Sequence, residues 1–456
     1  MDVPPSESFW AAFRSLSKRY HSQGHTESAA KLDAVVDQAS KNDAHNPAGA
    51  LVLFGALVLT FLQQNEWNAA VDVGIIVVDA RRALLGPNNP STMTSMNNLV
   101  SAYWGQGRWT DAINLGRQVT EARKKALGEE HPQTMASMSN LAAAYRRQGH
   151  WRQAEAQELR LLEIKTRRLG EDDQSTLTSM GSLATTYSHM GRYDDAERLE
   201  TRVVERSTRV LGDHHPSTLT WKSNLATTYR EQGRLDEAEK LESEVLDARI
   251  DIHGPQHPLT LTSMANLASM YRDLGRLEEA EHLETQVVET CKEKLGEQHP
   301  QTLVSMVNLA STYRGQDRFE EAARLGGRAV ATMKSRLGDQ SPLTLTAMAD
   351  LALTYQGQGH TDGAEALTAQ VLRLMQKNLG PLHPHTLTAM ANLGAIYQSQ
   401  GRWDEAETLA EETVRGREKV LGKTHPDTQA SMEDLVRICR VLAADQTTGV
   451  RPPHHS

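Results

Sequence analysis

Between His131 and Gly170 the apolar positions fall into two stripes. Met138, Leu141, Ala142 and Tyr145 lie three, four and seven residues apart, which puts them on one face of an α-helix. After the turn Gly149-His150, a second helix starts near Trp151 and carries Ala154, Leu159 and Leu162. Leu169-Gly170 ends it, because glycine reaches the left-handed backbone that a helix C-terminus often adopts. His131-Pro132 opens the first helix, where the missing N–H of proline costs nothing. Thr134 follows, and its hydroxyl is expected to accept from the unpaired amides of the first turn. The pattern predicts two antiparallel helices, A and B, in each unit.

The same unit recurs along the chain. The string Leu-Gly-x-x-x-Pro places glycine at 86, 128, 170, 212, 254, 296, 338, 380 and 422, with every interval equal. Two copies vary it: Gln174 replaces Pro and His253 replaces Leu. A Leu column runs from Leu99 to Leu435, and a Tyr column from Tyr103 to Tyr397 gives way to Cys439 in the ninth copy. Self-similarity at a period of about 42 residues is the signature of a solenoid, in which each unit buries its apolar face only against its neighbours. The expected fold is all-α: an α-solenoid of helix-turn-helix repeats with helical caps.

The flanks depart from the pattern. Tyr20 to His25 resembles Tyr145 to His150 and suggests a divergent helical cap over residues 1–47, with 42–47 as its linker. The stretch 48–62 is almost wholly apolar but falls short of the roughly 20 residues needed to cross a bilayer. Trp67 precedes Trp109 by one full repeat interval, so 48–90 is expected to be a degenerate first repeat; a membrane-associated hairpin with 74–78 is the alternative. Eight regular repeats occupy 91–426, a capping helix 427–443 and a disordered tail 444–456.

Composition narrows the function. Net charge is −9, which disfavours nucleic acid as a partner, because binding phosphates takes a basic surface. The two cysteines, Cys291 and Cys439, make no disulfide framework or zinc pattern, and the N-terminus lacks the basic flank of a secretory leader, so a cytoplasmic location is expected.

The string Leu-Gly-x-x-His-Pro … Asn-Leu-Ala … Tyr … Gln-Gly-Arg … Glu-Ala-Glu resembles the long tetratricopeptide (TPR) units of kinesin light chain. Thr260 to Ala268, reading Thr-Leu-Thr-Ser-Met-Ala-Asn-Leu-Ala, is similar to the TPR arms of fungal NOD-like (STAND) receptors. The likeness covers residues 91–439. There are no sustained heptads in 1–47 and no P-loop anywhere, so the motor-joining and nucleotide-switching parts of those families lack a counterpart here.

The resemblance implies a right-handed superhelix whose A helices line a concave groove for a protein or peptide partner. The slot before the Leu column holds Asn98, Asn140, Asn224, Asn266, Asn308 and Asn392, and an Asn amide can donate to and accept from a peptide backbone. Each Asn contacts a guest or spaces the repeats by bonding a neighbouring helix. Beyond the Tyr lie Arg146, Arg230, Arg272 and Arg314, which either clamp acidic residues of a partner or pair with Glu and Asp in the next repeat. The loop histidines sit at least one repeat apart, too far to share a metal ion whose ligands lie about 2 Å away. The Met column from Met96 to Met432 reads as adaptable core. No nucleophile elbow, phosphate loop or supported acid pair occurs, so no cofactor, metal or catalytic residue is assigned. The sequence points to a non-enzymatic scaffold; a self-associating or regulatory solenoid, the relic of a receptor arm, is the alternative, and an accessory enzyme a third reading.

Overall fold

The computed structural model describes residues 7–42, 47–64 and 66–448. These residues form helices and no strand. Two hairpins come first: α1 (Glu7–Ser22) with α2 (Thr26–Asn42), and α3 (Pro47–Gln63) with α4 (Trp67–Leu85). The A helices of the regular repeats are α5 (Pro90–Gly105), α7 (Pro132–Arg147), α9 (Gln174–His189), α11 (Pro216–Glu231), α13 (Pro258–Asp273), α15 (Pro300–Gly315), α17 (Pro342–Gly357) and α19 (Pro384–Ser399). Their B partners are α6 (Trp109–Leu127), α8 (Trp151–Leu169), α10 (Tyr193–Leu211), α12 (Leu235–His253), α14 (Leu277–Leu295), α16 (Phe319–Leu337), α18 (Thr361–Leu379) and α20 (Trp403–Val420). The last helix, α21 (Pro426–Thr448), runs past the end expected at 443, and 449–456 lie outside the described residues, as does most of the expected linker.

Two compact units divide the chain, Met1–Ile164 and Lys165–Ser456, with the boundary inside α8. In the first, one apolar core runs from Phe13 through Phe54, Phe61 and Val77 to Val119. Phe13 and Phe54 stack with centroids 3.7 Å apart, so the apolar stretch 48–62 is held against α1 as well as α4. No described helix is long and apolar enough to cross a membrane.

The A helices start at a cap that the sequence pattern disguised. His131 is extended (φ −69°, ψ 138°), and its Nδ1 accepts from the Gln133 N–H at 3.2 Å. His215, His257, His299, His383 and His425 do the same, and Asn89 and Asp173 do it with oxygens at 2.9 Å. An imidazole nitrogen two residues upstream replaces the usual hydroxyl or carboxylate cap. The expected role of the Thr column is therefore corrected. With the first-turn amide already satisfied, Thr260, Thr302 and Thr386 point inward and donate to the carbonyls of Gly254, Gly296 and Gly380 at 2.8–2.9 Å. Those glycines end the B helices at φ 83° to 92° and ψ near 160°, an extended positive-φ region open essentially to glycine alone.

The B-helix stripe also differs from its expectation. In α8 the buried positions are Ala154, Glu158, Leu161, Ile164 and Lys165; Leu159 is exposed and Leu162 half-buried. A glutamate in the stripe breaks the apolar pattern and shifts the reading by one residue.

A second polar insertion crosses each repeat boundary. Arg249 on α12 donates to the Leu259 carbonyl at 3.2 Å and to Ser263 Oγ at 2.7 Å on α13. Arg81, Lys165 and Arg417 repeat this geometry with Ser95, Ser179 and Ser431. Burial pushes Lys165, Arg249 and Arg417 below their ordinary pKa values. Elsewhere the slots differ: Met333 and Met375 go with Ala347 and Ala389, Ser207 goes with Trp221, and Cys291 keeps Ser305. A carbonyl receives every one of the buried cations named here, and Arg123 likewise donates to the Gln133 carbonyl at 2.9 Å.

Met333→Arg alone should therefore bury a cation beside Ala347 without its hydroxyl, costing about 3 kcal/mol. Adding Ala347→Ser should return about 1 kcal/mol. Urea denaturation of the single and double variants measures both.

Candidate binding groove

In the second unit, successive A helices α11, α13, α15 and α17 touch one another, whereas successive B helices make no contact of that extent. A stack that is tighter on one side curves towards it, so the A helices form the inner face of this unit.

The turn between A and B carries the main joint between repeats. Arg276 lies over the Tyr271 ring, 4.3 Å from its centroid, grips Glu279 three residues on, and reaches Glu239 of the preceding B helix at 2.6 Å. Arg234, Arg318 and Arg402 do the same with Tyr229, Tyr313 and Tyr397, and with Glu197, Glu281 and Glu365. The guanidinium thus ties the aromatic of its own A helix to the B helix before it. This joint explains the recurring Gln-Gly-Arg, which the motif alone did not.

The predicted asparagines take two arrangements. Asn140 is exposed, with Nδ2 3.4 Å from Asn97 Oδ1, and Asn266 donates to Ser223 Oγ at 3.1 Å and lies 3.4 Å from Glu242 Oε1. Both reach back to the preceding A helix. Asn98 in the first unit, and Asn224, Asn308 and Asn392 in the second, are half-buried and make no side-chain hydrogen bond among the described residues. The flanking hydroxyls of Thr220 and Thr262 donate to their own helix at 2.9 Å, and Thr220 Oγ1 also accepts from Arg249 at 3.5 Å.

The predicted arginines are occupied. Arg146 pairs with Glu158 at 3.1 Å in the first unit. In the second, Arg272 pairs with Glu284, Arg230 donates to Ser269 at 2.9 Å and lies 3.4 Å from Asp273, and Arg314 donates to the Asp350 carbonyl at 3.0 Å. The partners lie partly in the same repeat and partly in the next.

These contacts expose a carboxylate column that the motif reading passed over: Glu158, Glu200, Glu242 and Glu284, one per repeat and almost wholly buried. The recurring Leu-Glu at 199–200, 241–242 and 283–284 was its visible signal. Burial raises the pKa of Glu284, opposed by Arg272 and the Thr312 hydroxyl. Burial raises that of Glu242 too, opposed by Ser223, Ser263, Arg249 and Asn266. Glu200 has less support. Ser188, Gly181, Ser207 and Trp221 stand where Glu242 has Arg230, Ser223, Arg249 and Ser263, so Thr228 is the hydrogen-bond partner left to it, and burial pushes it up to about 7.

No described group of His, Cys, Asp and Glu is placed to hold a metal ion. The molecule is an α-solenoid of helical hairpins. Residues 50–125, 101–167, 175–251, 223–293 and 285–335 match one family model described as a tetratricopeptide repeat, and 344–385 and 386–427 match a second. The chain belongs to the tetratricopeptide repeat family. No curated protein matches it. Among solved structures, nearly identical TPR-like repeats of Podosopora anserina described as kinesin light chain share 30% identity over 45% of this chain and 97% of that one, with a TM-score of 0.40. BtubC of P. vanneervenii shares 23% over 50% of this chain and 92% of its own, with a TM-score of 0.41. The quorum sensor NprR of B. thuringiensis shares 14% over 81% of this chain and 98% of its own, with a TM-score of 0.51, a likeness of fold.

Glu200 sets a pH dependence. Its folded pKa lies above the unfolded value, so the stability of its repeat is greatest at low pH and falls as the pH rises through about 7. Glu200→Gln should match the wild type near pH 4 and exceed it by up to about 3 kcal/mol at pH 8, read from urea denaturation across that range.

Proposed function

We propose that the chain is a non-enzymatic, cytoplasmic scaffold that holds an extended segment of a partner protein along its A-helix groove. The observation that carries this reading is the half-buried, unbonded amides of Asn224, Asn308 and Asn392 on the inner face of the second unit. An amide carries donors and an acceptor together, so it can bond the N–H and C=O of an extended chain whatever its side chains. The slots one turn away hold small polar residues such as Thr220, Thr227, Ser311 and Thr388, which leave a backbone room to approach.

An acidic preference is not part of this proposal. Arg230, Arg272 and Arg314 are engaged with Ser269, Asp273, Glu284 and the Asp350 carbonyl, so a partner carboxylate would have to displace bonds already made.

The test uses a displayed library of random, unstructured peptides selected on the intact protein. Changing Asn224, Asn308 and Asn392 together to Ala should weaken the selected peptides at least tenfold, at about 1 kcal/mol or less per amide, with the helical circular-dichroism signal unchanged. Undiminished binding by the folded triple variant refutes the groove reading. Selection that instead enriches no peptide while light scattering shows stacking favours the self-associating solenoid.

A further inference from the structure

The second unit returns on itself. The turn between α9 and α10 and the loop before α21 meet, although Gly191 and His425 lie more than five repeats apart in the chain. A Cβ on Gly191 would stand 2.7 Å from Cδ2 of His425 and 3.0 Å from Cδ of Pro426. His425 is also hydrogen-bonded to the backbone of His189. Its Nδ1 already accepts from the Asp427 N–H at 3.1 Å, so Nε2–H donates to the His189 carbonyl. The Tyr193 hydroxyl feels the charge of Asp427 across the same seam.

The equivalent positions do not all share this environment. His425 is 7% exposed and His383 6%, whereas His215 and His257 are half-buried and His299 is exposed. A Cβ on Gly233 or Gly275, at the next two A–B turns, would meet nothing within 4 Å. The turns at Gly233 and Gly275 therefore take no part in the seam.

The pairing joins the first A–B turn of the second unit to its last capped loop. The A helices α9, α11, α13, α15, α17 and α19 lie between, on the inner side of the stack. We propose that the His425–Gly191 contact is a clasp that closes the groove of this unit laterally, so that a partner enters as an extended chain by its free end, and sideways only when the clasp parts. The guest this selects is a protein segment with an unfolded terminus. The entry route rests on the groove reading above; the clasp does not.

The chain supplies its own design for the test. Asn89 caps α5 from the slot that His425 occupies before α21, so His425→Asn keeps the cap and removes the Nε2 donor and the ring. Asp317 sits at φ 58° in the slot equivalent to Gly191, so Gly191→Asn fits the turn backbone while pushing against His425. His299→Asn and Gly233→Asn make the same changes where there is no seam.

Spin labels on Asp194→Cys and Lys423→Cys, with exposed Cys439 replaced by Ser, read the seam directly. The parent should give one short, narrow distance distribution. His425→Asn and Gly191→Asn should lengthen and broaden it, and the two controls should leave it alone. A parent distribution that is already long and broad, or one unchanged in both seam variants, overturns the clasp.

A library-selected peptide is then offered either with a free end or fused at both ends to folded domains. The parent should capture the doubly blocked form about tenfold or more slowly, and Gly191→Asn should remove the difference. Equal capture rates with the seam closed overturn the entry route. Failure of all peptides to bind removes the groove reading, while the spin labels still decide the clasp.

Discussion

Everything in this molecule depends on the fact that no hairpin can cover its own apolar face. A pair of helices of sixteen and nineteen residues leaves one side of each open, and only the next pair can close it. That requirement fixes the length of the unit: with every interval equal, each cap, aromatic and arginine meets the same partner in the neighbouring copy. The Arg276–Tyr271–Glu239 joint is possible only in that register. Surface ion pairs of this kind contribute little singly. Their value here is geometric, because they set the angle at which one hairpin follows another and hence the curvature of the inner face.

The periodicity made the helices, their order and their turns legible before any coordinates. It did so because the dominant force is burial, and burial writes itself as spacing. What it hid were the polar groups that behave like core. Glu158, Glu200, Glu242 and Glu284 occupy an apolar stripe, so the stripe was placed one residue away from them. The loop histidines read only as too widely spaced to share a metal ion, since an imidazole nitrogen serving as a helix cap leaves no compositional trace. The asparagine row was visible, but a single repeat could not say that Asn266 is tied to Ser223 while Asn224 and Asn308 are not. That difference depends on which residue the adjacent copy presents.

The heterogeneity among copies has a physical meaning. From Val288 to Leu393 the core is one continuous apolar cluster, with methionine at Met333 and Met375. Around Glu200 the same positions hold an under-supported carboxyl, a glycine and a tryptophan. The second unit thus joins a continuous apolar core in its later repeats to a carboxyl-bearing core beside the α9–α10 turn.

The matched slots that span each boundary carry an implication for ancestry. Arg249 on one hairpin answers Ser263 on the next, and Ser207 answers Trp221, so complementary residues never lie within one loop-to-loop segment. Unequal recombination with breakpoints in the Leu-Gly-x-x-x-Pro loops would separate them; deleting 171–212, for example, would set Lys165 against Trp221. Breakpoints inside an A helix, after the answering slot, would leave every match intact. The segment that keeps each matched pair together is a B helix with the A helix that follows it, half a hairpin out of phase with the unit that the motif suggests.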